Sequence, residues 1–261
     1  MTTALIAPGA GLNWDATSED YSRHRPGYPE SFFELAFQMG VGLAGQRILD
    51  LGAGTGALAL QFARQSAQVV ALDASRGQLE SLKSKAERDR LDVQTLFARA
   101  EDTGLPSASY DAVTASMCWG YFDQRDISRE VPRLLKPDGH LLVSSLIWTH
   151  DDPISKVTDD LIAAYNPAST RGRGGGSAPS AVPDWAAPTF SVTGFHSWIE
   201  GLPFTRESWR GRIRASKWIG AALDPAKVDA FDREHEILLR TVGPDRFVIP
   251  HRITLHVLAV V

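Results

Sequence analysis

A buried strand, a glycine-rich turn and the start of a helix follow one another in residues 48–56, which read Ile-Leu-Asp-Leu-Gly-Ala-Gly-Thr-Gly. A second apolar run, at residues 69–72, ends in Asp73. Glycines let a backbone approach a ligand where a Cβ atom would clash, and an acid at the tip of the next strand can accept hydrogen bonds from both ribose hydroxyls. The pattern therefore predicts a nucleoside-binding half of a doubly wound sheet.

Two features distinguish between the nucleosides that such a turn can bind. The spacing Gly52-x-Gly54-x-x-Ala57 is compatible with a dinucleotide fingerprint, which alone is a weak signal. However, Asp50 lies two residues before the first glycine, where its carboxylate would repel a pyrophosphate and attract a cation. Gly56 adds a third close glycine. We therefore favour S-adenosylmethionine (SAM), whose ammonium group suits Asp50, and keep a dinucleotide as the alternative.

The same residues resemble motif I of the class I SAM-dependent methyltransferases, of the small-molecule kind similar to methyltransferase type 11. Later stretches also resemble that family. The adenine loop leading into strand 4 resembles residues 98–102, 105–106 and 109–114. The helix end, turn and strand 5 that follow resemble residues 133–143. The resemblance extends over about residues 14–150, and 247–261 is similar to its last strand. The match is specific for fold and cofactor and says little about the acceptor.

The resemblance implies an α/β, Rossmann-like fold with helices on both faces of a seven-stranded, mostly parallel sheet of order 3-2-1-4-5-7-6, in which strand 7 is antiparallel. From the pattern we expect one domain over 1–261: a segment over the cofactor (1–30), a cofactor-binding core (31–150), a helix and glycine-rich loop (151–189) and C-terminal strands with a helical insertion (190–261). Residues 167–188 are expected to form a mobile lid, and a disordered insertion is the alternative. Ser31, Thr205 and Asp224 are candidate helix N-caps.

The cofactor residues follow from the resemblance. Around the methionine moiety and the ribose we expect Tyr21, Arg25, Asp50, Gly52, Ala53, Gly54, Gly56, Asp73, Ser116 and Met117. Around adenine we expect Ala74, Ala100 and Glu101. Many relatives have an aspartate where this chain has Arg99, so an acidic contact to the adenine amine is either missing or supplied by Glu101 or Asp102.

Candidate catalytic and acceptor-binding residues follow strands 4 and 5, at the edge where such sheets bind ligands. Relatives often have a histidine where this chain has Gly120, so a histidine base at that position is in doubt. For the neighbouring Trp119 and Tyr121, core packing is the alternative to acceptor binding. His150 is the leading candidate base, with Asp151 as its orienting partner, and Tyr121 is a second catalytic candidate. For acceptor binding we expect Trp119, Tyr121, Trp148, Trp209 and Arg212, although an amphipathic helix packed on the sheet also explains residues 209–218.

Composition narrows the function further. A net charge of −4 offers no general attraction to nucleic acid, although 206–217 holds a local group of cations. The single cysteine, Cys118, and the absence of a secretion signal or long apolar run fit a cytoplasmic protein away from membranes. No ligand spacing for a metal is present.

We therefore expect methyl transfer from SAM to an O or N atom of a small aromatic or heteroaromatic substrate of secondary metabolism. An RNA or protein methyltransferase, a non-catalytic SAM-binding protein and a NAD-dependent oxidoreductase remain open. The sequence leaves a homodimer open and does not identify the acceptor.

Overall fold

The computed structural model describes residues 17–169 and 179–261, and the side chains of Ser18 and Tyr21 also lie outside the described part. Seven strands form one sheet. They are β1 (Arg47–Leu51), β2 (Gln68–Asp73), β3 (Val93–Phe97), β4 (Tyr110–Ser116), β5 (Leu135–Trp148), β6 (Phe190–Thr205) and β7 (Arg246–Val260).

Among the described residues, two helices precede β1, single helices separate the first five strands except between β3 and β4, and three helices lie between β5 and β7 in sequence. They are α1 (Ser18–His24), α2 (Glu30–Gln38), α3 (Ala59–Arg64), α4 (Arg76–Asp89), α5 (Gln124–Leu134), α6 (Pro153–Tyr165), α7 (Arg206–Arg214) and α8 (Pro225–Val242). A short 3-10 helix, Trp119–Tyr121, follows β4.

The strand order is β3-β2-β1-β4-β5-β7-β6, as the sequence predicts. Strands β3, β2, β1, β4 and β5 pair in parallel, whereas β7 is antiparallel to both β5 and β6. The predicted α/β, Rossmann-like fold is confirmed. Parallel strands joined by helices bring their carboxyl ends to one edge of the sheet, and the order reverses between β1 and β4, where such folds bind ligands.

Each face of the sheet has its own buried core. Ile48 lies in one core and the adjacent Leu49 in the other, and both side chains are fully buried. Successive residues of a strand point to opposite faces, so a strand covered on both sides reads as the continuous apolar run seen in the sequence. The central strands are thereby held rigidly at the edge where the glycine turn begins.

Helix starts agree with the sequence at two positions and differ at a third. The Thr205 side chain accepts a hydrogen bond from Ser208 N in a capping box, and Asp224 accepts one from Lys227 N. The predicted N-cap Ser31 is wrong: α2 begins at Glu30 after Pro29. The Ser31 hydroxyl instead donates to Glu200 Oε2 at 2.6 Å, tying α2 to β6.

The predicted lid, residues 167–188, lies partly outside the described residues, and its closure stays a prediction. Its described end packs on the sheet, where Ala186 is buried and the Trp185 ring lies 4.8 Å from that of Trp119. His256 Nε2 lies 2.9 Å from the carbonyl oxygen of Ser180. Among the helices of the described residues, none combines the length and the hydropathy needed to cross a membrane.

Candidate active site

The glycine turn after β1 requires glycine at more than one position. Gly52, Gly54 and Gly56 all have positive φ, at 60°, 56° and 91°. A Cβ on Gly52 would lie 2.8 Å from Cys118 Sγ, so Gly52 is constrained by packing as well as by its backbone. Cys118 donates from Sγ to the Leu51 carbonyl oxygen, and burial raises the pKa of its thiol well above the ordinary value. The cysteine is thus an inert support for the turn.

Asp50 is a buried carboxylate at the base of this turn, with 2% of its surface exposed. Its Oδ1 accepts a hydrogen bond from the Thr114 hydroxyl on the neighbouring strand at 2.7 Å. Burial raises the pKa of Asp50 to about 7, although Thr114 and the backbone N–H of Ala59 lower it. A carboxylate with this cost of ionisation gains most from a cationic ligand.

Asp73 at the end of β2 connects that strand to the glycine turn. Its Oδ2 accepts from Gly54 N and its Oδ1 from Ser75 N, both at 2.8 Å. Ionised carboxylate oxygens each accept more than one hydrogen bond, so these two contacts are compatible with the predicted ribose contact of Asp73, which stays a prediction. The Ser75 side chain caps α4 by accepting from Gln78 N.

A pocket opens between the glycine turn and the segment before α2. Its lining includes Arg25, Tyr28, Asp50, Gly52, Ala53 and Ser116. Hydroxyls of Ser116 and Ser144 donate to the Tyr28 phenol oxygen at 2.9 and 3.1 Å. Arg25 thus lines the pocket, and its predicted contact with the cofactor stays a prediction. Tyr28 and Ser144 were missed because they are far from the glycine motif in sequence. The predicted contact of the Tyr21 side chain lies outside the described residues.

The expected adenine border follows β2 and β3. Ala74 is exposed directly after Asp73, and Ala100 is buried. The Glu101 side chain accepts from Asp123 N at 3.0 Å and lies 3.5 Å from Arg99. Glu101 therefore joins the loop after β3 to the start of α5, and its predicted contact with adenine stays a prediction.

Strand β4 ends in a strained residue. Met117 has a φ of 62°, which is uncommon for a residue other than glycine. Its N–H donates to the Ser144 carbonyl oxygen at 2.9 Å, and its Sδ accepts from Leu146 N at 3.0 Å. These contacts fix the end of β4 against β5 and turn the chain towards the predicted acceptor residues.

Four of the five predicted acceptor-binding residues are buried, and their contact with the acceptor stays a prediction. The Trp119 ring packs among those of Trp185, Phe122 and Phe190. The Trp209 indole donates to the Thr158 hydroxyl from a site with no exposed surface. Trp148 and Arg212 are 2% and 4% exposed, with the guanidinium 5.0 Å from the Trp148 ring centroid. These side chains pack in the interior, which is the arrangement that the core-packing alternative describes for Trp119 and for the segment 209–218.

Tyr121 remains partly exposed, and the chain brings Lys217 close to its ring. Lys217 Nζ lies 5.4 Å from the Tyr121 ring centroid and 5.1 Å from that of Trp218. Trp218 in turn packs edge-on against Trp148 at 5.8 Å. Tyr121, in the 3-10 helix after β4, and Trp218, in the segment after α7, thus both lie near the Lys217 cation, and we call these two rings the aromatic wall.

His150 lies directly after β5 and pairs with an aspartate other than the one predicted. Its Nδ1 is 2.6 Å from Asp159 Oδ2, so Asp159 replaces Asp151 as its partner. The neighbouring Asp152 instead caps α6 by accepting from Ile154 N and Ser155 N. Asp159 lies on the second turn of that helix, a separation for which the sequence carries no local signal.

A Rossmann-like sheet with a positive-φ glycine turn, a buried acid beneath it and an acid at the tip of β2 is the arrangement found in nucleoside-binding folds. The methyltransferase domain family matches residues 48–139. An uncharacterized methyltransferase of Mycobacterium tuberculosis is 33% identical over 149 residues, 57% of each chain.

Two further relatives are also named methyltransferases. The uncharacterized methyltransferase YcgJ of Bacillus subtilis is 28% identical over 75% of this chain and 70% of its own, and its crystal structure superposes with a TM-score of 0.54 at 21% identity over 88% and 98%. The ubiquinone/menaquinone biosynthesis C-methyltransferase UbiE of Vibrio vulnificus is 35% identical over 44% of this chain and 46% of its own.

Residues 48–139 thus carry the match to the methyltransferase domain family, and the relatives of similar sequence are named methyltransferases. The chain spans 57% of the length of the Mycobacterium relatives that it matches. Within residues 17–169 and 179–261, no group of three or more His, Cys, Asp or Glu side chains could hold a metal ion.

Proposed function

We propose that the protein transfers a methyl group from SAM to an O or N atom of a small aromatic or heteroaromatic molecule. The observation that carries the cofactor part is that an acidic and a basic residue line one pocket: Asp50 at the base of the glycine turn, and Arg25. A methionine moiety carries an ammonium group and a carboxylate, which match these two side chains. When bound, SAM supplies a methyl group already activated on a positively charged sulfur.

The rest of the pocket supports the same cofactor. Asp50, Gly52, Ala53, Gly54 and Gly56 would surround the methionine moiety, and Asp73 would accept from the ribose hydroxyls. Ala74, Ala100 and Glu101 would border adenine, while Ser116 and Met117 would lie near the methyl group at the end of β4. A pyrophosphate close to Asp50 would meet like charge in a buried site, which disfavours a dinucleotide.

The acceptor would bind against Tyr121 and Trp218. An aromatic wall of this kind suits a flat acceptor, since stacked or edge-on rings contribute about 0.5–1.5 kcal/mol beyond their buried area. Lys217 between the two rings adds a positive charge at this wall. His150 at the end of β5 is our candidate for the base that removes a proton from the acceptor, and we retain Tyr121 as the second candidate.

The cationic segment 206–217, which kept an RNA-binding function open, is largely neutralised. Arg214 pairs with Asp20 and Asp232, at 2.8 and 2.7 Å. Arg210 pairs with Asp232 and with Glu236, and Arg212 is buried. Paired arginines release few counterions from a phosphate backbone, so this helix is poorly suited to hold RNA. The charge distribution supports a small molecule as the partner.

The test is methyl transfer from SAM with a labelled methyl group to a panel of phenols, catechols and nitrogen heteroaromatics, with product analysis to locate the methyl group. We expect transfer to an oxygen or a nitrogen of at least one panel member. Methylation only of bulk tRNA or protein would overturn the small-molecule acceptor. Transfer to ring carbon, the chemistry in the name of UbiE, would overturn the assignment of the acceptor atom.

A further inference from the structure

Asp159 is a buried carboxylate whose two oxygens hold two different side chains at the end of β5. Its Oδ1 accepts from the Trp148 indole N–H at 3.2 Å, and its Oδ2 lies 2.6 Å from His150 Nδ1. Asp159 is 2% exposed, whereas the His150 side chain is 35% exposed. The Trp148 indole therefore fixes the Asp159 carboxylate, and this carboxylate in turn orients the partly exposed His150 ring.

We propose that Asp159 is a positioning residue, which holds His150 with its proton on Nδ1 and its lone pair on Nε2 to accept a proton from the methyl acceptor. This inference rests on the proposed function. A carboxylate beside Nδ1 favours the N–H at that nitrogen and leaves the other nitrogen as acceptor. Nε2 of His150 makes no hydrogen bond within the described part of the chain. A base whose far nitrogen is oriented by a carboxylate follows the logic of catalytic triads.

His235 shows what a purely packed histidine looks like in the same protein. It has no exposed surface, and its Nε2 lies 3.0 Å from the Thr158 hydroxyl. Burial lowers the pKa of His235 to about 3, so this ring stays neutral. His150 differs on both counts that matter for proton transfer, because a carboxylate stands beside one nitrogen and the ring is accessible.

The proton balance of the step is simple. Nε2 takes the proton of the acceptor O–H or N–H, and the electron pair of that bond stays on the oxygen or nitrogen. That atom bonds to the methyl carbon as the carbon–sulfur bond breaks, leaving its electron pair on a neutral sulfur. The positive charge lost from sulfur reappears on His150, where Asp159 stabilises the imidazolium until the proton passes to water.

The first experiment reads the tautomer directly, without an acceptor. Long-range proton–nitrogen NMR spectra of protein with labelled histidines, at about pH 9 where an ordinary imidazole is neutral, report which nitrogen carries the proton. We expect Nδ1–H for His150 in the wild type, and loss of that preference in Asp159→Asn. A signal for Nε2–H in the wild type would overturn the proposal. Asp160→Asn is the matched control, because Asp160 is exposed on the same helix and pairs with Lys156.

The second experiment measures turnover. We expect Asp159→Asn and His150→Gln each to lower kcat by about 10²–10⁴-fold, with the double variant no slower, while the acceptor KM and the affinity for S-adenosylhomocysteine (SAH) change less than about twofold. If Asp159→Asn fails to fold, the His150→Gln variant still tests the proposal, because His150 is partly exposed. A kcat of His150→Gln equal to that of the wild type would overturn the proposal. Failure of the proposed function itself would show separately, as absence of SAH binding in a wild type whose His150 tautomer is still readable.

Discussion

The cofactor half and the acceptor half of this site are built by different means. On the cofactor side, the turn after β1 presents backbone at three positive-φ glycines, and its acids stand at strand ends close by in sequence. On the acceptor side, Tyr121, Lys217 and the pair His150–Asp159 come from segments spread over about a hundred residues and meet only through packing. The first half depends on backbone shape, and the second on individual side chains.

The largest effect that would sharpen this contrast is at Gly52. In Gly52→Val the backbone must hold a branched residue at positive φ and the new Cβ meets Cys118 Sγ at 2.8 Å, so we expect SAH affinity to fall more than about 100-fold. Gly45→Val is the control, since Gly45 has a φ of 79° but open space around it. Calorimetric titration measures both. An equal loss in the two variants would mean that backbone strain alone, rather than the shape of the turn, matters.

Next in size is Asp73→Ala. If Asp73 holds the ribose, its loss removes charged hydrogen bonds worth about 1.5–3 kcal/mol, or about 10–150-fold in SAM affinity. Competition binding against labelled SAM gives the ratio, and Asp89→Ala, at the far end of α4, should leave it unchanged. Undiminished affinity in Asp73→Ala would remove the ribose assignment.

A smaller effect tests the acceptor side. Tyr121→Ala should raise the acceptor KM about tenfold, through lost ring contact, while leaving SAH affinity within about twofold. Tyr165→Ala is the control, because Tyr165 packs on Phe231 between α6 and α8. If SAH affinity fell along with acceptor binding, the two halves would not be separable, and the comparison would fail at this residue.

A further prediction concerns Asp50 and the pH dependence of stability. Since the folded-state pKa of Asp50 is about 7, above the ordinary 3.8, the folded protein binds this proton more tightly than the unfolded chain. Its contribution to stability without cofactor is therefore greatest below about pH 4 and is lost as pH rises to about 7. Thermal unfolding at about pH 5 and pH 8 should show a downward slope in the wild type that Asp50→Asn flattens.

Glu130 does not interfere with that measurement. Its hydrogen bond with Arg133 lowers the pKa of Glu130 to about 2, so its stabilising contribution is lost only as pH falls from about 4.5 through 2. This window lies below the one assigned to Asp50. Identical slopes in the wild type and Asp50→Asn would contradict the raised pKa of Asp50.

The contrast also explains what the sequence could predict. The strands near the glycine turn and the caps at Thr205 and Asp224 follow from local patterns, the sheet order follows from the family resemblance, and the structure confirms them. Asp50 lies within the same short motif, so its burial beneath the turn could be anticipated. Where backbone geometry carries the site, neighbouring residues in the sequence are enough to identify it.

The acceptor side could not be predicted in the same way. An indole after a strand is compatible with a pocket or with the core, and only packing decides that Trp119 is enclosed by Trp185 and Phe190. Asp151 was the natural partner of His150 by adjacency, yet the turn into α6 uses Asp152 as a cap and brings Asp159 to the ring. Such choices depend on contacts between distant segments, for which one sequence carries no signal.

Calorimetric titration of the purified protein with SAM, SAH and NAD tests the central claim most directly. Asp50 and Arg25 in one pocket predict micromolar binding of the two sulfur compounds and no binding of NAD. The Asp50→Ala variant should lose most of that affinity while remaining folded. Binding of NAD with no binding of SAM or SAH would contradict the assignment of SAM as the cofactor.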